Sequence, residues 1–206
     1  MNGLAVQSVT SAANPERSRP LIIGIGGTQR PGSTSELALR YALTSASRLG
    51  CDTELVPVED LLLPIFDPGT FHSCDAAGPL LSKVRSCDGL ILATPGYHGS
   101  MSGLIKNALD YLEVLANDPQ PYLHGRAVGC VVTAAGWQAG VTTLSAVRAT
   151  VHALRAWSAP RGVAINSSDR PFTPEGAPRD DAVRRQLDSM VAQVVDFSQQ
   201  MRIRRS

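Results

Sequence analysis

The chain has 206 residues, a hydrophobic share of 43% and a formal net charge of +1 at neutral pH. That length suits one domain with a full hydrophobic core, and a charge so close to zero argues against nucleic acid as the main partner. No apolar run is long enough to span a bilayer.

Residues 1–20 are polar and lack the apolar centre of a signal peptide, so they read as a disordered arm. The domain proper is expected over 21–201. Residues 21–26 read as a buried strand, 34–48 as a helix stopped by Gly50, and 53–58 as a second strand. The connection at 61–69 is unusually apolar, with Leu61, Leu62, Leu63, Ile65 and Phe66. Such a loop either covers the core or makes an exposed contact between copies.

A second helix is expected over 75–86, a third strand over 89–93 and a third helix over 104–115. Pro119 and Pro121 break the loop at 117–125. Residues 127–133 are nearly all apolar, as a central parallel strand should be. A fourth helix follows over 142–157, a short fifth strand over 162–165, a polar loop over 167–178 and a closing helix over 180–201. Val183, Leu187, Met190, Val191, Val194 and Val195 form that helix's inner stripe. Residues 202–206, with Arg202, Arg204 and Arg205, read as a solvated basic tail.

Five strands alternating with five helices is the α/β signature. Right-handed crossovers allow the first and third strands to be neighbours, and their carboxyl ends then flank a topological switch point where ligands bind.

The loop after the first strand reads Gly26-Gly27-Thr28-Gln29-Arg30-Pro31-Gly32-Ser33-Thr34-Ser35. Thr28, Ser33, Thr34 and Ser35 offer hydroxyls, Arg30 offers a fork suited to phosphate oxygens, and the helix that begins near Thr34 presents unpaired N–H groups. The combination is a phosphate cradle. It is neither a Walker loop nor a dinucleotide fingerprint, since Gln29 stands where that spacing needs glycine or alanine. A plain helix cap explains the hydroxyls as well.

After the third strand comes Pro95-Gly96-Tyr97-His98-Gly99-Ser100-Met101-Ser102-Gly103. Proline and glycine punctuate the strand end. Tyr97 and His98 suit the edge of a planar ring, although loop packing for Tyr97 and simple exposure for His98 remain open. After the fourth strand, Gly136, Trp137 and Gln138 are candidates for a ring edge. Trp137 either stacks near a ring or caps the loop. Lys106 and Asp110 stand one helical turn apart and read as a surface ion pair. Cys51, Cys74, Cys87 and Cys130 show no metal spacing and no C-x-x-C pair, which makes them reduced thiols and points to a cytoplasmic address. His72, His124 and His152 show no metal spacing either, so no metal site is expected.

At these residues the chain resembles the NAD(P)H-dependent FMN reductases of flavodoxin-like fold. Their first motif is matched by Gly27-Thr28-Gln29-Arg30-Pro31-Gly32-Ser33-Thr34-Ser35. Their second is matched by Pro95-Gly96-Tyr97-His98, then Ser100, then Gly103-Leu104-Ile105-Lys106-Asn107-Ala108-Leu109-Asp110. Ser35, Gly96 and His98 stand where the family has Asn, Glu and Asn. The resemblance implies a three-layer, doubly wound sheet of five parallel strands in the order 2-1-3-4-5. It implies FMN phosphate contacts from Thr28, Arg30 and Ser33 with Ser35, ring contacts from Pro95, Gly96, Tyr97 and His98, and a third contact loop at Gly136 and Gln138.

The implied activity is hydride transfer from NADPH or NADH to FMN, with no protein nucleophile or acid–base triad. The reduced flavin then supplies a flavin-dependent monooxygenase, or stays bound and reduces a quinone, azo compound or metal oxyanion. A non-enzymatic flavin carrier or sensor is the alternative, although carriers of that fold are strongly acidic and this chain is not. The family's habit of forming homodimers or homotetramers favours a contact role for the apolar loop at 61–69.

Overall fold

The apolar run at 21–26 becomes β1 (Leu21–Gly26), the first of the parallel strands in a computed structural model that describes residues 17–205. In chain order the remaining elements are α1 (Thr34–Arg48), β2 (Asp52–Leu55), α2 (Gly78–Ser86), β3 (Gly89–Tyr97), β4 (Ser100–Met101), α3 (Gly103–Asp110), β5 (Ala127–Ala134), α4 (Trp137–Ala153), β6 (Trp157–Ser158), β7 (Val163–Asn166) and α5 (Asp181–Arg205). The sheet runs β2-β1-β3-β5-β6, with β7 also paired to β5 and β4 folded back on β3. Every pairing except β3 with β4 is parallel. With the short β4 set aside, and β6 and β7 counted as one broken edge strand, this is the expected order 2-1-3-4-5 in a flavodoxin-like fold.

Side-chain alternation along β1 distributes the core. Ile22 joins Leu39, Leu43, Leu187, Met190 and Val194 on the face covered by α1 and α5. Ile23 and Ile25 join Leu80, Val84, Ile105, Leu112 and Val147 on the face covered by α2, α3 and α4. All eight residues of β5 are buried, which explains their unbroken apolar character. Asp188 on α5 accepts from Tyr41 at 3.2 Å and from Ser45 at 2.8 Å, tying α5 to α1.

Several boundaries differ from the periodicity, each for a local reason. The edge strand is split because Pro160 has no N–H to donate to a ladder. Its two parts pair with opposite ends of β5, Trp157 opposite Ala127 and Asn166 opposite Ala134. Trp157 therefore lies on β6 and not on α4, which starts at Trp137 and ends at Ala153. Pro57 opens a 3-10 turn, Val58–Leu61, so β2 stops at Leu55. Pro79 sits in the first turn of α2, where a missing N–H costs nothing. After α3 the helix tightens into a 3-10 turn, Tyr111–Leu115.

The apolar loop divides between the two expected roles. Leu61 is fully buried, and Leu63 and Phe66 pack against the core. The Phe66 ring meets Phe71 at 4.9 Å and Tyr111 edge-on at 5.5 Å. Asn107 fastens the backbone, accepting from Phe66 N at 2.8 Å and donating to the Pro64 carbonyl at 2.8 Å. Leu62 and Ile65 face solvent. Three of the five side chains are thus core cover.

The carboxyl end is more ordered than its composition indicates. The helix α5 runs through the expected basic tail as far as Arg205. Its Arg202 pairs with buried Asp88 at 3.0 Å and donates to the carbonyl of Arg17. Asp88 also accepts from the Leu21 N–H at 2.9 Å, so one carboxylate ties the last turns of α5 to the start of β1. Residues 1–16 of the expected arm lie outside the described residues. Among the described residues no helix is long and apolar enough to cross a membrane, and no group of three or more potential ligands could hold a metal. Lys106 and Asp110 form the expected pair at 2.6 Å.

None of the four cysteines is in a disulfide, and only Cys74 is partly exposed. Burial pushes the Cys87 and Cys130 thiols up to about 11. Unfolding returns them to the ordinary thiol value near 8.5. The folded state therefore keeps protons that the unfolded state releases, and the associated stability is complete below about pH 8.5 and lost as pH rises to about 11. Urea unfolding across that window should show the loss. It should be shallower by about 3 kcal/mol in each of Cys87→Ala and Cys130→Ala, measured as a change in slope with pH, since the cavity each variant leaves costs the same at every pH.

Candidate active site

The carboxyl ends of β1, β3 and β5 build one cleft, and the close approach of Gly26 to the end of β3 sets its shape. At Gly26 the backbone turns with φ +147°, and a Cβ there would stand 2.0 Å from the Ala93 carbonyl oxygen. No other residue fits. The next N–H, from Gly27, donates to the same oxygen at 3.2 Å. The chain then leaves the sheet as a tight loop in which Thr28 Oγ1 accepts from the Arg30 N–H at 3.1 Å.

The loop ends in a cap. Ser33 Oγ accepts from Glu36 N at 3.3 Å, and the Glu36 carboxylate accepts from Gly32 N at 2.8 Å. This reciprocal arrangement, close to a capping box, starts α1 firmly. Helix geometry leaves the Thr34 and Ser35 N–H groups without intrahelical acceptors, and the positive end of the helix lies at the cleft. Arg30 is exposed, and among the described residues its guanidinium has no partner.

The second wall is a hairpin that the sequence pattern did not reveal. β3 continues through Pro95 and Gly96 to Tyr97 and returns as β4, with Tyr97 opposite Ser100. His98 and Gly99 are its two turn residues, with φ 52° and 83°. Two positive values define the type I′ turn that suits a tight hairpin. Asn, Asp and His tolerate this region best, so His98 replaces the family's Asn at a position with a backbone demand that both meet. Buried Thr94 braces the hairpin, accepting from Ser102 N at 3.0 Å and donating to the Pro95 carbonyl at 3.0 Å. Ser102 in turn caps α3 through Ile105 N at 3.3 Å. Behind Gly96 a Cβ would meet Thr143 Oγ1 at 2.8 Å. The family's Glu has no room here unless Thr143, fully buried on α4, moves.

Thr133, Ala134 and Ala135 form the third wall. Ser168 Oγ donates to the Ala135 carbonyl at 3.1 Å and brings Ser167 to the rim. The whole cleft encloses about 750 Å³, within the range of small-molecule sites. Of the expected residues it gathers Thr28, Arg30, Ser33, Thr34, Ser35, Pro95, Gly96 and Tyr97. It does not gather His98 and Ser100, which belong to the hairpin's turn and return strand. Nor does it gather Gly136, Trp137 and Gln138, because α4 begins earlier than its periodicity indicates and carries Trp137 outward, 59% exposed.

Gln29, Ser102, Gly103, Leu104, Thr133, Ala134, Ala135 and Ser167 line the cleft without having been foreseen. Most lie within a residue or two of a strand's carboxyl end or at a helix start, and that rule would have found Thr133, Ala134, Ala135 and Ser167.

The model of the NADPH-dependent FMN reductase family matches residues 20–170, a span holding all three loops. The chain belongs to the NADPH-dependent FMN reductase family. It is similar to the FMN-dependent NADPH-azoreductase of Staphylococcus aureus (strain USA300), with 33% identity over 153 residues, 72% of this chain and 77% of that protein. It is also similar to the NADPH azoreductase of Bacillus sp. (strain OY1-2), with 26% identity over 146 residues, 70% of this chain and 76% of that protein. Among solved structures, the NAD(P)H:(acceptor) oxidoreductase FerB of Paracoccus denitrificans shares the fold at a TM-score of 0.71 and 17% identity, over 88% of this chain and 98% of that one.

This member of the FMN reductase family is an FMN-dependent NAD(P)H oxidoreductase, with FMN as cofactor and NAD(P)H as co-substrate. Its residues fit that cofactor. A helix start and a free arginine line the cleft together with the strand ends Pro95–Tyr97 and Thr133–Ala135. Gly26→Ala should destabilise the reductase by at least about 2 kcal/mol, since a backbone oxygen cannot yield as a side chain would. Thermal melting checks this, and unchanged stability would show that β1 and β3 can separate at no cost.

Proposed function

We propose that this chain retains FMN and uses NAD(P)H to reduce a small acceptor of the azo or quinone class. The observation that carries the reading is the convergence of Arg30, the α1 start and the Pro95–Tyr97 wall on one cleft. When bound, FMN supplies the redox chemistry, accepting hydride and passing electrons on. The chain's own part is placement. Arg30 and the N–H groups of Thr34 and Ser35 neutralise the phosphate, with the Thr28 and Ser35 hydroxyls beside them. Pro95 and Gly96 on one side and Ala134 and Ala135 on the other present backbone to the ring, and Tyr97 borders the open mouth. Among the described residues the lining holds no carboxylate, thiol or imidazole, which suits a site that orients a cofactor and donates no proton of its own.

The azo class is supported by the Staphylococcus aureus and Bacillus relatives, which carry that activity in their names. Release of reduced flavin to a monooxygenase is the rival, and flavin retained through turnover on a desalting column would exclude it. Free thiols support a cytoplasmic setting. A homodimer or homotetramer would have exposed Leu62 and Ile65 as its first candidate contact, and light scattering reads its size.

The decisive experiment is anaerobic titration of FMN-loaded protein with NADPH while visible absorbance is followed. Rapid bleaching is expected. Oxidised flavin that persists with both NADPH and NADH would replace the reductase reading with a carrier or sensor. Arg30→Ala should weaken FMN binding by about 1.5–3 kcal/mol, the worth of a hydrogen bond to a charged group, with no change in melting temperature. Fluorescence quenching of FMN measures it, and unchanged affinity would remove Arg30 from the phosphate site.

A further inference from the structure

Charge is divided unevenly along the chain. From Leu49 to Ser82 the sequence carries Asp52, Glu54, Glu59, Asp60, Asp67 and Asp75 and no Lys or Arg. From Pro119 to Ser168 it carries Arg126, Arg148, Arg155 and Arg161 and no Asp or Glu. The fold sends these two stretches to opposite edges of the sheet, since β2 stands at one end of its order and the β6–β7 strand at the other.

Both stretches reach the layer formed by α2, α3 and α4. Leu63 and Phe66 of the first and Leu144 of the second pack against the same core cluster. On the acidic margin, Lys83 answers Glu54 at 2.9 Å and Asp60 at 3.9 Å. Arg40 and Arg48 border β2 from α1, on the other face of the sheet. Glu59, Asp67 and Asp75 stay exposed and, among the described residues, without an ion pair. Leu62 and Ile65, 50% and 85% exposed, stand among them. On the basic margin, Trp137, Val141, Leu144, Arg148 and His152 recur every three or four residues and share one side of α4. Trp137 and Val141 are each more than half exposed. Arg155 and Arg161 follow, both exposed and without an ion pair among the described residues, the Arg155 guanidinium lying 5.1 Å over the Tyr122 ring.

Apolar side chains framed by charge of one sign suit a partner framed by the other. A face with one acidic margin and one basic margin is complementary to itself after a two-fold rotation, the commonest symmetry of homo-oligomers. We propose that a second copy of this chain docks on this face about a two-fold axis at α3. The acidic margin of each copy, with Leu62 and Ile65, then meets the Trp137 side of α4 and the Arg155 and Arg161 side chains of the other. At the axis, where like meets like, α3 presents Lys106 and Asp110, which already neutralise each other at 2.6 Å. The apolar side chains supply affinity and the charges fix orientation. The contact does not depend on the reductase reading, and it gives Leu62 and Ile65 a counter-surface.

The test is light scattering of the full chain, wild type and charge-reversed, with melting temperature as the check that each variant is folded. The wild type is expected at no less than twice the 21.8 kDa of one chain. Glu59→Lys combined with Asp75→Lys puts like charges in contact, as does Arg155→Glu combined with Arg161→Glu. Each pair should raise the dissociation constant by roughly tenfold or more. Mixed one to one, the two reversed variants should regain the wild-type mass, because each margin then meets its opposite. The neutral pairs Glu59→Gln with Asp75→Asn and Arg155→Gln with Arg161→Gln should weaken association by less, and they carry the test if a reversed variant does not fold. The docking is overturned if the wild type is a monomer, if a folded reversed variant associates as tightly as the wild type, or if the mixture stays dissociated. A monomeric wild type that retards a single-stranded oligonucleotide would assign the basic margin to nucleic acid instead.

Discussion

The contact on which the site depends is the approach of Gly26 to the Ala93 carbonyl. Two adjacent parallel strands normally keep a fixed separation, and side chains fill the space where their ends diverge. Here β1 stays paired with β3 as far as Gly26, whose φ turns the missing Cβ into the Ala93 carbonyl. The loop that follows is thereby thrown outward and back into α1, and the helix start arrives beside the end of β3. Remove that contact and the phosphate loop, the helix start and the β3 hairpin lose their common origin.

A second set of constraints holds the walls in register. Thr94, Ser102 and Thr143 are buried hydroxyl residues with no part in lining a core. Each has a backbone partner on the hairpin or at the start of α3. Buried hydroxyls left without partners would be costly, so these bonds define one arrangement of the hairpin against α3 and α4. The amino-terminal end of the central strands is held differently, by Asp88 and Arg202. That pair and the buried thiols belong to stability, and the cleft can vary without disturbing them.

Much of this architecture was legible from pattern. The apolar runs at 21–26, 89–93 and 127–133 are strands because parallel strands covered on both faces have no polar side. The motif around Gly103 to Asp110 is a helix because its apolar positions recur at helical spacing. Eight candidate residues, from Thr28 to Ser35 and from Pro95 to Tyr97, do meet in one cleft, since the rule that ligands gather at strand carboxyl ends needs only the strand ends themselves. His98 and Ser100 escaped it because a hairpin depends on two positive φ values, to which His98 gives only weak notice. Trp137 and Gln138 escaped it because α4 starts a turn before its apolar stripe becomes visible.

The chain by itself determined the layer architecture, the family and the chemical character of two loops, because hydrophobic period and motif spacing are local properties. Tertiary structure decided what touches what. It placed Thr143 in the space where the family carries a Glu, turned Arg202 from a solvated end into the partner of a buried carboxylate, and tied Arg40 through Glu36 to the Gly32 N–H of the phosphate loop. The first two arise between residues far apart in sequence, where sterics and burial act through space and leave no periodic trace in the chain.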